Sequence, residues 1–282
     1  MLPTPDTSHV PYSRVYEPAE DSFLMIDTLA LPAETAFLTQ RFGGGDDGDA
    51  GDAGTEKTPP LVVEIGSGSG VVLAFVAAQA AHLFGPSGSP LALAVDVNEF
   101  ACAATRETAR RAIGEERADA KKRGDRTERS TGTFLGAVRA DLVAVLRPGQ
   151  VDVLLFNPPY VPTPSVPAND NCAAAAAADD SADAVFARDS HLLELAYAGG
   201  HDGMETTDRL LAALPDVLSA RGCAYILLCA QNRPEAVKQR IRAWPVAGDG
   251  GGGEKSWHAE TVGSSGKQAG WEKLQIVRIW RE

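Results

Sequence analysis

Three short stretches of this chain combine residue types that can do chemistry together. Asn157-Pro158-Pro159-Tyr160 directly follows Val151 to Phe156, an apolar run that reads as a buried strand. The two prolines restrict the backbone and contribute carbonyls with no competing N–H. The Asn157 amide oxygen and the Pro158 carbonyl can then accept both hydrogens of a planar –NH2 group. Tyr160 offers a face on which a flat amide or base stacks. Such a site requires the asparagine to come immediately after a buried strand, which sets it apart from an ordinary proline-rich loop.

The second stretch, Glu64-Ile65-Gly66-Ser67-Gly68-Ser69-Gly70, lies at a strand-to-helix turn. Glycines such as Gly66 and Gly68 let the backbone approach a ligand closely. Asp96 ends the next strand, where a carboxylate can accept both hydroxyls of a ribose. The turn is G-x-G-x-G rather than G-x-G-x-x-G, and Glu64 stands just before it. An acid there repels a pyrophosphate but suits a ligand bearing an ammonium group. S-adenosylmethionine carries a ribose, an ammonium and a sulfonium, and the glycine turn with Asp96 and Glu64 fits it. The third stretch is Asp141-Leu142, after the third strand: the aspartate can accept from an adenine amino group or simply cap a helix.

The elements that position these residues alternate between strand-like and helix-like runs. Strands are expected at Leu61 to Ile65, Leu91 to Asp96, Thr133 to Arg139, Val151 to Phe156 and Cys223 to Cys229, with two short closing strands near Ala259 to Val262 and Leu274 to Trp280. Helices are expected over Ala19 to Leu31, Gly70 to His82, Asp208 to Leu218 and after Pro234, with Asn98 as the N-cap of another. Continuous apolar strands separated by helices mean an α/β fold, a seven-stranded, mostly parallel, doubly wound sheet covered on both faces. Strands one and four then meet at the switch point, so Gly66 and Asn157 line one crevice. The pattern reads as a single domain over 1–282 with an N-terminal extension over 1–36 and loop insertions near 43–60, 115–132, 167–189 and 247–253. The alanine run Ala173 to Ala178 reads as an inserted helix or spacer, and the charged segment from Glu115 as a solvated helix extension.

Charge narrows the partners. The 26 Lys+Arg against 38 Asp+Glu leave a net charge of −12, which disfavours a main function of gripping nucleic acid through its phosphates. No leader or spanning segment is evident, so neither secretion nor a membrane role is expected. Cys102, Cys172, Cys223 and Cys229 show no C-x-x-C spacing and read as reduced thiols of a cytoplasmic or nuclear protein. His82, His191 and His201 lack metal-ligand spacing, so no metal is expected.

Together these motifs resemble the HemK-type glutamine methyltransferases of class-1 translation termination factors. The likeness is to the eukaryotic and archaeal branch, whose catalytic subunit works with a small zinc-binding activator. It rests on Tyr16-Glu17-Pro18-Ala19-Glu20-Asp21-Ser22, the glycine turn, Asn157-Pro158-Pro159-Tyr160-Val161 and Tyr197-Ala198-Gly199-Gly200, and covers Val15 to Leu38 and Leu61 onward apart from the insertions. It implies a class I, Rossmann-like methyltransferase fold, with Ser22 and the N-terminal segment closing over S-adenosylmethionine and Glu64, Gly66, Asp96, Asp141 and Leu142 around it. Ser22 stands where threonine is usual, and the Pro167 to Asp189 insertion is a larger departure.

The resemblance implies N5-methylation of the glutamine in a Gly-Gly-Gln loop. Asn157 and Pro158 would hold the amide nitrogen, so that rate comes from orientation without a strong base. One rival is an adenine-N6 methyltransferase of DNA or RNA, using the same clamp on a flipped base. The net charge opposes it, and the most basic stretch, Arg110 to Arg129, carries only eight Lys/Arg against five Asp/Glu. A non-catalytic scaffold is the other rival. The strands near Leu91 and Thr133 fall on the outer half of the sheet, an apolar edge that a partner strand could cover.

Overall fold

A computed structural model describes residues 2–43, 58–124, 131–168, 181–245, 256–266 and 273–282. Seven strands, β1 (Leu61–Ile65), β2 (Leu91–Asp96), β3 (Thr133–Arg139), β4 (Val151–Phe156), β5 (Leu218–Cys229), β6 (Trp257–Ser264) and β7 (Leu274–Arg281), make one sheet. Their order is β3-β2-β1-β4-β5-β7-β6. Every pairing from β3 to β5 is parallel, and β7 runs antiparallel to β5 and β6. This is the doubly wound, Rossmann-like sheet of a class I methyltransferase, with β1 and β4 as neighbours at the switch point.

Alternation along each strand divides the core. Val62, Val153, Leu155, Tyr225 and Ile276 face helices α1 (Glu20–Leu29), α2 (Pro32–Phe42), α3 (Val71–Ala78), α4 (Ala80–Phe84) and α5 (Glu99–Arg123). Val63, Leu154, Phe156, Ile226 and Val277 face α7 (Glu205–Val217) and α8 (Pro234–Arg242). Helix α6 (Ala182–Tyr197) buries no residue. It spans the carboxyl end of the sheet instead of a face. Helix α5 starts where Asn98 accepts a 2.9 Å bond from the Phe100 N–H, and stops at Gly124, whose φ of 78° is left-handed. It packs tightly against the glycine turn: a Cβ on Gly70 would lie 2.6 Å from the Thr105 Cα.

Several boundaries differ from the sequence reading. The helix expected over Gly70 to His82 breaks at Gln79, leaving α3 and α4, because Gln79 leaves helical geometry at ψ 25°. A second N-terminal helix, α2, follows α1 without having been anticipated; Pro32 at its first turn starts it. Strand β5 begins at Leu218, five residues early, because Leu218 pairs with Val151 across an irregularity in register. Of the expected insertions, the one from Glu115 is helix as far as Arg123, and the last eight residues of the one ending at Asp189 are the start of α6. The alanine run and most of the other two lie outside the described residues.

Strand β3 forms one edge of the sheet, with Leu135 52% and Val138 38% exposed. At the amino terminus, Val10 and Val15 pack on Ala101 and Ala104 of α5, and the Asn98 amide donates a 2.7 Å bond to the Arg14 carbonyl. That docking holds the Tyr16–Ser22 segment over the carboxyl end of β1. Among the described residues no helix is long and apolar enough to cross a membrane.

Candidate active site

The carboxyl ends of β1, β2 and β4, with the segment after β3, open on one crevice. Ser22, Glu64, Gly66, Gly68, Asp96, Asp141, Leu142, Asn157, Pro158 and Pro159 all line it. Ten residues spread over most of the chain thus meet where the parallel strands end. Tyr160 does not line it. Its side chain is buried in the core on the α1–α5 side, so the stacking face expected of it does not reach the crevice wall.

The glycine turn depends on left-handed backbone: Gly66, Gly68 and Gly70 have φ of 66°, 53° and 79°. The Gly66 N–H donates to the Val95 carbonyl at 2.8 Å, tying the turn to β2. Asp96 braces it further, accepting from the Gly68 N–H at 2.9 Å and from the Asn98 N–H at 2.8 Å. Leu142 has a φ of 48°, a conformation costly for a branched side chain and one that recurs where function constrains the backbone.

Three carboxylates are buried here, Asp21, Glu64 and Asp96, and among the described residues none has an ion-pair partner. Glu64 accepts a 3.0 Å bond from the Leu73 N–H, but burial raises its pKa well above the usual value and the Asp96 charge adds to that. Burial likewise raises Asp96, against the lowering effect of its backbone donors. A site with this donor set favours a ligand bringing positive charge and hydroxyl groups. S-adenosylmethionine, with its ammonium, sulfonium and ribose, meets both requirements.

Asn157 stands at the end of β4, just beyond the buried Phe156. Its Oδ1 is buried and, among the described residues, accepts no hydrogen bond. A buried acceptor without a partner costs about 1–3 kcal/mol, and the residue that carries it lines the crevice. The loop behind it is firmly held. Val161 N–H donates to the Tyr197 carbonyl at 3.0 Å and Gly199 N–H to the Val161 carbonyl at 2.8 Å, a bridge that joins the loop to the Tyr197–Gly200 motif. The glycines there are steric necessities: a Cβ on Gly199 would lie 2.5 Å from the Pro159 carbonyl oxygen.

Sequence reasoning missed three contributors. Asp21, next to Ser22 and buried, lines the crevice and accepts from the Ser22 hydroxyl at 3.1 Å. Arg209 of α7 pairs with Asp141, so that carboxylate already has a cationic partner on one side. Leu192, Leu195 and Ala196 of α6 form an apolar wall, and the Asp189 carboxylate on the same helix holds Arg14 at 2.9 Å. Asp21 lies within a motif the sequence displays. The other two depend on contacts between distant segments.

No family model matches the chain. Among curated proteins, human Methyltransferase HEMK2 is 33% identical over 282 residues, which covers 98% of this chain and 95% of that one. The eRF1 methyltransferase catalytic subunit mtq2 of Schizosaccharomyces pombe is 28% identical over 285 residues, 100% of this chain and 96% of the relative. A putative protein N5-glutamine methyltransferase of Methanocaldococcus jannaschii is 26% identical over 270 residues, 96% and 93% of the two chains. Similarity that runs the length of both chains, on a sheet of this strand order, makes the chain a member of the HEMK2 family of methyltransferases.

Proposed function

We propose that this enzyme methylates the side-chain amide nitrogen of the glutamine in the Gly-Gly-Gln loop of a class-1 translation termination factor. The observation that carries the reading is Asn157, a residue of the crevice wall whose buried Oδ1 has no partner among the described residues. Support also comes from the relatives named for eRF1 and for protein glutamine. S-adenosylmethionine, when bound, supplies an electrophilic methyl group. Asp96 would hold its ribose hydroxyls and Glu64 its ammonium. Asp141 and the strained Leu142 would border its adenine, with Gly66 and Gly68 admitting it closely and Ser22 covering it.

An amide nitrogen is a poor nucleophile because its lone pair is delocalised into the carbonyl. Asn157 Oδ1 and the Pro158 carbonyl would accept its two N–H bonds, fix the nitrogen in place and push electron density onto it as it bonds to the methyl carbon, while the methyl–sulfur bond breaks and its electron pair stays with sulfur in neutral S-adenosylhomocysteine. The proton leaves nitrogen for water once the new bond has formed, so no strong base is needed. The test is mass spectrometry of termination factor after incubation with enzyme and methyl donor, with a DNA oligonucleotide as a parallel substrate. Methylation localised to the glutamine supports the reading; transfer to adenine alone overturns it.

The reading includes a small zinc-binding partner seated on the β3 edge. Its supports are the exposed Leu135 and Val138, the free edge of the strand, and a relative named as a catalytic subunit.

A further inference from the structure

We propose that Asn232 is a positioning residue for methyl transfer, clamping the far end of the loop that carries Asn157. The inference rests on the amide-clamp reading given above. Asn232 closes the short turn after β5 and is 3% exposed. Its Oδ1 accepts a 2.8 Å bond from the Cys229 N–H, which locks the side chain to the end of its own strand. Its Nδ2 faces three carbonyls, those of Tyr160 at 3.2 Å, Asp202 at 2.9 Å and Gly203 at 3.2 Å. Two N–H bonds thus serve three acceptors from two different segments, and one of them is shared.

The approach is too close for any other side chain. A Cβ on Gly203, whose φ is 68°, would lie 2.0 Å from the Tyr160 oxygen and 2.7 Å from the Asn232 Nδ2. Between this clamp and β4 lie only Asn157, Pro158 and Pro159. One end of that stretch is set by Phe156, buried and paired with Ile226 of β5. The other is held by Asn232 through the Tyr160 carbonyl, with the backbone bonds of Val161 to Tyr197 and Gly199 one residue further on. Both prolines have φ fixed by their rings, so the stretch behaves as a short stiff rod held at both ends. The position of the Asn157 amide and the Pro158 carbonyl therefore depends on Asn232, although Asn232 itself does not line the crevice.

Three measurements test this. Asn232→Asp keeps the shape and the acceptor for Cys229, but turns the donor into an oxygen facing three carbonyls; Asn232→Ala removes both functions. Each variant is compared with wild type for S-adenosylhomocysteine affinity, for kcat and KM on termination factor per cofactor-binding site, and for amide hydrogen exchange. A displaced reacting group lowers kcat by up to about a hundredfold, while cofactor affinity stays within about twofold and KM moves little. Exchange at Val161 and Thr163 should quicken by roughly tenfold. In wild type those two amides should exchange as slowly as the core of β4, a result that needs no variant to fold. Normal kcat per binding site in a folded variant, or fast wild-type exchange at Val161 and Thr163, overturns the proposal. If wild type methylates no glutamine, the amide-clamp reading fails on its own, and exchange still decides whether Asn232 holds the loop.

Discussion

Replacing Asn157 with alanine separates the free enzyme from the reacting complex. In the free chain the Asn157 Oδ1 has no partner to lose among the described residues. Removing it relieves an unsatisfied buried acceptor worth about 1–3 kcal/mol. The Tm should therefore hold steady or rise, by about 2–4 °C for each kcal/mol recovered. In the transition state the same oxygen accepts an N–H that is gaining positive character. Its loss, gauged against a single oxyanion-hole donor, costs about 2.7–4 kcal/mol, or roughly a hundred- to a thousandfold in kcat. Affinity for S-adenosylhomocysteine should change little. Single-turnover methyl transfer read by mass spectrometry, calorimetry and a melting curve test the three parts together. Near-normal turnover would refute the clamp, and a large fall in Tm would show that Oδ1 is partnered after all.

Asp96→Ala should weaken cofactor binding measured by calorimetry and also lower the Tm, because the carboxylate braces Gly68 and Asn98 as well as facing the crevice; unchanged affinity would move the ribose elsewhere. Glu64→Gln tests the buried acid. A carboxyl whose pKa is raised on folding binds its proton more readily in the native state, so its contribution to stability falls as pH rises above the unfolded value near 4.5. The variant, whose amide oxygen can still accept from Leu73, should melt above wild type at neutral pH, with the difference vanishing below about pH 4.5, and should bind the cationic methyl donor more weakly. Equal melting curves at pH 7 would contradict this. Leu135→Lys on the β3 edge should abolish co-purification with the proposed zinc-binding partner and leave the fold intact. Wild type expressed alone should give a lower soluble yield than wild type co-expressed, whereas a monodisperse, fully active monomer would count against an edge-docked partner.

Local chemistry carried much of this in one dimension. The strand runs announce themselves because a strand buried on both faces must be apolar at every position, as Val151 to Phe156 is. The glycine turn, the Asn98 cap and Pro234 at the start of α8 are legible because each answers a backbone demand within two or three residues of itself. Once the strand order follows from right-handed crossovers, the meeting of Glu64, Asp96 and Asn157 at one sheet edge follows as well. What only the tertiary structure decides are the contacts whose partners sit far apart in the chain. Arg209 finds Asp141 across 68 residues, Arg14 finds Asp189 across 175, and Asn232 reaches the Tyr160 carbonyl across 72. No spacing rule encodes such pairs, because loop lengths and helix packing set the distances. Tyr160 is the plainest case: its type suggests a stacking platform, but the stiff Pro-Pro segment and the anchored carbonyl beyond it turn the ring into the core. Residue types thus declare which atoms can react, and packing between distant segments decides which of them reach the substrate.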